Sequence, residues 1–161
     1  MNTSNATTKI LFVCLGNICR SPAAEGILLH LIQLHGLQHL VEVDSAGIGG
    51  WHVGQLPDSR MRRHGVRHGY DFCSRARQFA ITDFDKFDLI VAMDKENIRD
   101  LTSMARNDSD IAKIVPIAKY LRHHQGCSTV PDPYYGGDSD FERVISLLED
   151  ACSGLLDDVM A

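Results

Sequence analysis

The sequence predicts an α/β domain in which a four-stranded parallel sheet is covered by helices on both faces. Three observations carry that expectation. Ile10–Val13 and Leu89–Ala92 are continuous apolar runs of strand length, as strands buried on both faces require. Helix-period patterns alternate with the strand candidates, and that alternation places the strands parallel. A helix opening at Ser21-Pro22 follows the first strand after only a short loop, and ligands in such sheets sit beyond the carboxyl ends of the strands.

The elements follow in order. Residues 1–8 are polar and read as a disordered tail, leaving 9–161 as one domain. Lys9–Val13 is the first strand. The first helix begins near Ser21 or Pro22, where proline needs no N–H. It carries Ala24, Ile27, Leu28, Leu31 and Ile32 on one face and stops at Gly36. Leu40–Ser45 is the second strand, followed by the glycine-rich loop Ala46–Gly54 with the only tryptophan, Trp51. Asp58–His64 is a short helix stopped by Gly65. Leu89–Ala92 is the third strand, and Asp94 caps the helix after it. Ile114–Val115 is the fourth strand. A Gly/Pro/Tyr-rich loop then leads to a last helix with Phe141, Val144, Ile145, Leu148, Cys152 and Leu155 on one face.

Composition narrows the function classes. The chain has 161 residues, 44% hydrophobic and 23% charged, which suits one compact domain. A formal charge of -5 argues against nucleic acid as the main partner. Five cysteines, Cys14, Cys19, Cys73, Cys127 and Cys152, are too few and odd in number for a secreted disulfide scaffold. Met1–Thr8 lacks an apolar signal region, and no apolar run approaches membrane length. The expectation is a cytoplasmic protein with reduced thiols, no membrane partner and no metal, because Cys14 and Cys19 lack a second ligand pair at zinc spacing.

The chemistry concentrates in Cys14-Leu15-Gly16-Asn17-Ile18-Cys19-Arg20-Ser21. A cysteine at the start of a loop between strand and helix meets backbone N–H groups, the positive end of a helix dipole and a guanidinium. All three favour thiolate and would equally hold a phosphate dianion or another oxyanion. The segment is therefore a candidate phosphate-binding loop, with Cys14 as nucleophile and Arg20 gripping two oxygens in its planar fork. Gly16 supplies a positive φ, and Asn17 adopts one or ties the loop through its side chain. Ser21 can donate to the Cys14 sulfur, cap the helix, or do both.

A leaving group needs a proton. Asp132, in Asp132-Pro133-Tyr134-Tyr135-Gly136-Gly137, is the best-placed carboxylate in a loop able to fold back; a plain surface turn is the alternative. Trp51, Tyr134 and Tyr135 lie in loops and suit the walls of a pocket for a flat ring. The eight histidines form no ligand set; His52 supports the cleft loop. Arg60, Arg62, Arg63 and Arg67 read as a solvated helix face.

These residues carry a resemblance. Phe12–Pro22, Asp44–Gly47, Trp51-His52 with Gly54, Ala76-Arg77-Gln78, Asp83–Leu89, Ala92-Met93-Asp94 and Asp132–Gly137 together resemble the low-molecular-weight protein tyrosine phosphatases. The resemblance implies hydrolysis of phosphotyrosine in protein substrates through a phosphocysteine at Cys14, with Arg20 as clamp and Asp132 as general acid. It implies a four-stranded parallel sheet, no cofactor, a monomer or weak homodimer, and a cleft lined by Leu15, Trp51, Tyr134 and Tyr135. It also implies a reversible Cys14–Cys19 disulfide that protects the nucleophile. One departure stands out. Animal members often carry a histidine where Ser74 stands, so Ser21 is expected to be held less firmly. Two other enzymes resemble this loop: protein arginine phosphatases, which tend to carry threonine where Ile18 stands, and arsenate reductases, which need a cysteine pair that Cys73 lacks. A phosphate-binding module without catalysis would have no use for both Cys14 and Asp132.

Overall fold

The computed structural model describes residues 6–161. Four parallel strands lie in the order β2-β1-β3-β4: β1 (Thr8–Cys14), β2 (Val41–Gly47), β3 (Leu89–Ala92) and β4 (Ile114–Pro116). β1 pairs with β2 from Thr8↔Val41 to Cys14↔Gly47 and with β3 from Ile10↔Leu89 to Val13↔Ala92. The helices are α1 (Arg20–Leu34), α2 (Ser59–Arg67), α3 (Asp83–Lys86), α4 (Lys95–Met104), α5 (Asp108–Lys113) and α6 (Asp138–Met160), with a 3-10 turn over Ile117–Tyr120.

Strand alternation splits the core in two. Ile10, Phe12 and Val91 face one side, where they meet α1, α2 and α6 through Ile27, Leu28, Met61, Val144 and Leu148. Leu11, Val13, Ile90 and Ala92 face the other, packing on Phe79, Phe84 and Leu101. From Ile10 onward both faces of β1 are dry, which is why Ile10–Val13 is uniformly apolar. All six apolar residues expected on the α6 stripe are fully buried.

The expected tail over residues 1–8 lies partly outside the described residues and ends earlier than expected. Thr8 already belongs to β1, its N–H donating to the Leu40 carbonyl, and the Thr7 hydroxyl donates to the His39 carbonyl. Gly65 does not stop α2. The helix runs to Arg67 and closes where Tyr70 N–H meets the Gly65 carbonyl and Gly69 N–H the Val66 carbonyl, with Gly69 at φ 85. Gly65 is glycine for a packing reason, since a Cβ there would fall 2.6 Å from the Phe72 ring. The short helices α3 and α5 carry too few apolar positions to show a period.

The return segment after the 3-10 turn matters for the site. Asp150 on α6 accepts the N–H groups of Arg122, His123 and His124, and Val130 N–H donates to Met93 at the end of β3. These bonds bring residues 130–132 over the carboxyl ends of β1 and β3.

Candidate active site

A pocket of about 310 Å³ opens at the carboxyl end of β1, lined by Cys14, Leu15, Arg20, Trp51, Asp132 and Tyr134 among others. The sheet explains its position: Cys14 is the last residue of β1, beside Gly47 at the end of β2. Gly47 must lack a side chain here, because a Cβ would come within 2.9 Å of the Gly16 backbone.

The loop after Cys14 has its polar groups sorted. The carbonyls of Cys14, Leu15 and Ile18 are tied outward by the N–H groups of Ile48, Gly49 and Asp58. The N–H groups of residues 15–19 donate to no described protein acceptor. Five successive uncommitted donors beside a pocket form a nest for an anion. α1 starts at Arg20, which adds the positive end of its dipole.

Asn17 holds this conformation. Of the two residues expected to take a positive φ, Asn17 does, at 58, and Gly16 does not. Its Nδ2 donates to Ser21 Oγ at 2.7 Å and Ser45 Oγ at 3.0 Å, and its Oδ1 accepts Arg77 N–H at 2.9 Å. All its polar capacity is used locally, which offsets the strain of the left-handed backbone. Ser45 in turn donates to Glu25 at 2.6 Å. Burial raises the Glu25 carboxyl above its ordinary range. Arg77 is fixed by Asp44 and Asp83, so three segments far apart in sequence meet behind the loop.

Ser21 Oγ lies 3.0 Å from Cys14 Sγ. Cys19, not Ser21, occupies the cap position of α1, so the hydroxyl does not cap the helix; besides the sulfur it has the Ala46 carbonyl as a longer acceptor at 3.4 Å. Ser21, expected to be held less firmly than in histidine-bearing relatives, has the Asn17 amide donating to its hydroxyl. Asn17→Ala is expected to lower the unfolding free energy by about 2–4 kcal/mol, for the hydrogen bonds lost. It should cut kcat/KM about 10–100-fold, because the loop and Ser21 shift. Asn17→Gly keeps the backbone conformation and separates the two effects. Denaturant titration beside steady-state kinetics checks both, and unchanged kinetics in the alanine variant would contradict the account.

Arg20 is buried to 2% exposure. Its Nη1 donates to Asp94 at 2.6 Å and to the Val130 carbonyl at 3.1 Å. Its Nη2 stands 3.6 Å from Asp132 Oδ2. Burial works against its charge, but Cys14, Asp94 and Asp132 outweigh it and hold Arg20 above the ordinary arginine range. Asp94 thus does two jobs, since its other oxygen caps α4 at Asn97 N–H. Sequence reading gave it only the cap. Asp132 is half-exposed at the rim, with Oδ1 accepting Tyr134 N–H at 3.1 Å.

Leu15, Ile18, Cys19, Trp51, Tyr134 and Tyr135 also line the pocket. Trp51 is 68% exposed and Tyr135 96%, so neither anchors the core. The His52 ring packs beside Gly16, where a Cβ would meet it at 3.1 Å. Burial pushes the Cys19 thiol well up, with Asp58 and Cys14 adding to the effect. Among the described residues no group of three or more His, Cys, Asp or Glu could hold a metal ion, and no helix is long and apolar enough to cross a membrane.

A run of uncommitted N–H groups at the end of the first parallel strand, with a cysteine at its start and a buried arginine at its end, fits one class: an α/β protein whose loop is built to take an oxyanion beside a thiol. Comparison gives the family. Residues 9–161 match the model for low molecular weight phosphotyrosine protein phosphatases. The low molecular weight protein-tyrosine-phosphatase of Streptomyces coelicolor is 44% identical, over 93% of this chain and 92% of the relative. A protein tyrosine phosphatase from Entamoeba histolytica, solved with Hepes in its active site, superimposes with a TM-score of 0.92 at 44% identity, covering 96% and 97% of the two chains. A Drosophila arginine phosphatase superimposes at 0.88 with 34% identity, covering 96% and 99%. The chain belongs to the low molecular weight phosphotyrosine protein phosphatase family.

Proposed function

We propose that the protein hydrolyses phosphotyrosine in protein substrates through a phosphocysteine intermediate. The observation that carries this is the run of uncommitted N–H groups over residues 15–19, set between Cys14 and Arg20. Cys14 Sγ attacks phosphorus and the P–O ester bond breaks. The Asp132 proton goes to the departing phenolate oxygen, giving tyrosine. In the second step Asp132 takes a proton from water, the water oxygen bonds to phosphorus, and the S–P bond breaks to release phosphate and the thiolate. Throughout, the loop N–H groups and the free edge of Arg20 hold the equatorial oxygens. Ser21 donates to the sulfur whenever it carries charge. Leu15, Trp51 and Tyr134 flank the tyrosine ring, which sets reach: phosphoserine is too short to bring its phosphorus down to Cys14 while filling the same walls.

A second reading rests on the Drosophila neighbour: phosphoarginine as substrate. Ile18, at the pocket wall, favours the apolar tyrosine ring over a guanidinium. The test is turnover of matched phosphotyrosine, phosphoserine and phosphoarginine peptides in reducing buffer with EDTA. A clear preference for phosphotyrosine is expected; a preference for phosphoarginine would replace the reading.

Redox control belongs to the same proposal. Peroxide oxidises the Cys14 thiolate to a sulfenic acid, and the Cys19 thiolate then displaces hydroxide from that sulfur to form the disulfide. A cytoplasmic setting fits, because Cys14 works only as a free thiol. Since the Cys19 thiol is pushed well above neutral pH, its thiolate fraction climbs as pH rises toward that value. The condensation step should therefore accelerate about tenfold per pH unit above neutral. Stopped-flow formation of sulfenic acid followed by quenched mass spectrometry measures this. A pH-independent rate would contradict it.

A further inference from the structure

The basic stretch on α2 is not a solvated face throughout. Asp58 accepts Arg60 through both carboxylate oxygens, at 3.1 Å from Nε and 2.9 Å from Nη2. Arg60 Nη2 also donates to the Tyr134 carbonyl at 2.9 Å. The guanidinium lies over two rings, 5.5 Å from the centre of Tyr134 and 4.7 Å from that of Phe141. Asp58 has a further tie in the opposite direction, its N–H donating to the Ile18 carbonyl at 2.7 Å. The path from the phosphate loop to the Asp132 loop thus runs Ile18, Asp58, Arg60, Tyr134.

The Asp132 loop has little else to hold it. Within residues 131–137, Tyr134 N–H turns back to Asp132, Gly136 N–H to Pro133, and Gly137 bonds to the first turn of α6. Among the described residues, Arg60 makes the one hydrogen bond that reaches this segment from outside the loop and α6. Asp132 itself faces Arg20 at 3.6 Å, beyond hydrogen-bond distance.

We propose that Arg60 is the positioning residue of the general acid: it ties the Asp132 loop to the phosphate loop and so sets where the Asp132 proton is delivered. This rests on the proposed role of Asp132. Arg60 does not touch substrate; it acts through Asp132. Its importance therefore scales with the need for a proton on the leaving oxygen. A phenolate with the basicity of tyrosine, whose pKa is about 10, needs that proton. 4-Nitrophenolate, a far weaker base, departs nearly unaided.

The test is the leaving-group dependence of kcat/KM over a series of substituted phenyl phosphates, for wild type, Arg60→Ala, Arg60→Lys and Asp132→Ala. Arg60→Ala is expected to lose about 30-fold or more on phenyl phosphate and only a few-fold on 4-nitrophenyl phosphate, steepening the dependence toward that of Asp132→Ala. Arg60→Lys keeps the charge and one donor but not the fork, and should recover part of the loss on phenyl phosphate. A uniform loss across the series in Arg60→Ala and Arg60→Lys, with Asp132→Ala still steep, would overturn the proposal alone. A flat series in Asp132→Ala would instead overturn the general-acid reading on which it rests. Should Arg60→Ala fail to fold, Arg60→Lys decides, because its steepened or unchanged slope is read in the same assay.

Discussion

Cys14→Ser is expected to abolish turnover of aryl phosphates, by about four orders of magnitude or more, while binding of inorganic phosphate persists. The reasoning separates attack from grip. In the proposed mechanism the grip comes from the N–H groups of residues 15–19, which are uncommitted, and from Arg20 at the pocket, none of which the substitution removes. Attack needs an anionic nucleophile, and a serine hydroxyl is a far weaker acid than a thiol. Removing the nucleophile of a coupled catalytic unit costs as much as removing the unit. Steady-state kinetics with 4-nitrophenyl phosphate and calorimetric titration with phosphate read the two halves separately. Loss of phosphate affinity together with turnover would mean that Cys14 serves binding rather than attack.

Arg20→Lys carries the second largest effect, a loss in kcat of about 10³-fold. Nη1 is committed to Asp94 and the Val130 carbonyl, so in the proposed mechanism it is the remaining edge of the same planar group that meets the phosphate. A lysine has one point of attachment. It either pairs with Asp94 or reaches the anion, and it cannot present two parallel donors. Losing one such donor set typically costs 10²–10³-fold. Because Arg20 is buried and paired with a partly buried Asp94, the unfolding temperature must be followed beside kcat. A loss of stability with kcat within about tenfold of wild type would show Arg20 to be a structural ion pair.

Much of this was legible in the sequence because it is local. Uninterrupted apolar runs mark strands dry on both faces, and a cysteine directly after one of them is placed by the fold itself. Pocket walls at Trp51, Tyr134 and Tyr135 were legible because large aromatics in glycine-rich loops lie off any core period. What escaped was long-range. Asp94 reads as a helix cap, and nothing in its neighbourhood announces that its second oxygen meets Arg20, 74 residues away. Glu25 and Ser45 lie on α1 and β2 in positions that look solvated, yet they end a hydrogen-bond chain that begins at Ser21 and Asn17. Arg60 looked like one of several surface arginines. Only the fold brings the Tyr134 carbonyl to it, and Asp58, two residues earlier, was the one local hint of a fork. Ser74 suggested a weaker loop because the missing histidine is visible in sequence, whereas the bond from the Asn17 amide to Ser21 Oγ is not.

The central claim is a covalent phosphate on Cys14, and the most direct measurement is to catch it. Asp132→Ala should still be phosphorylated by 4-nitrophenyl phosphate, whose leaving group needs little help, but lacks the base for the attacking water. Acid quench during turnover, followed by peptide mass spectrometry, should then find phosphate on the peptide carrying Cys14, with a burst of 4-nitrophenolate stoichiometric with enzyme. Phosphate on another residue, or steady turnover with neither burst nor adduct, would contradict the account.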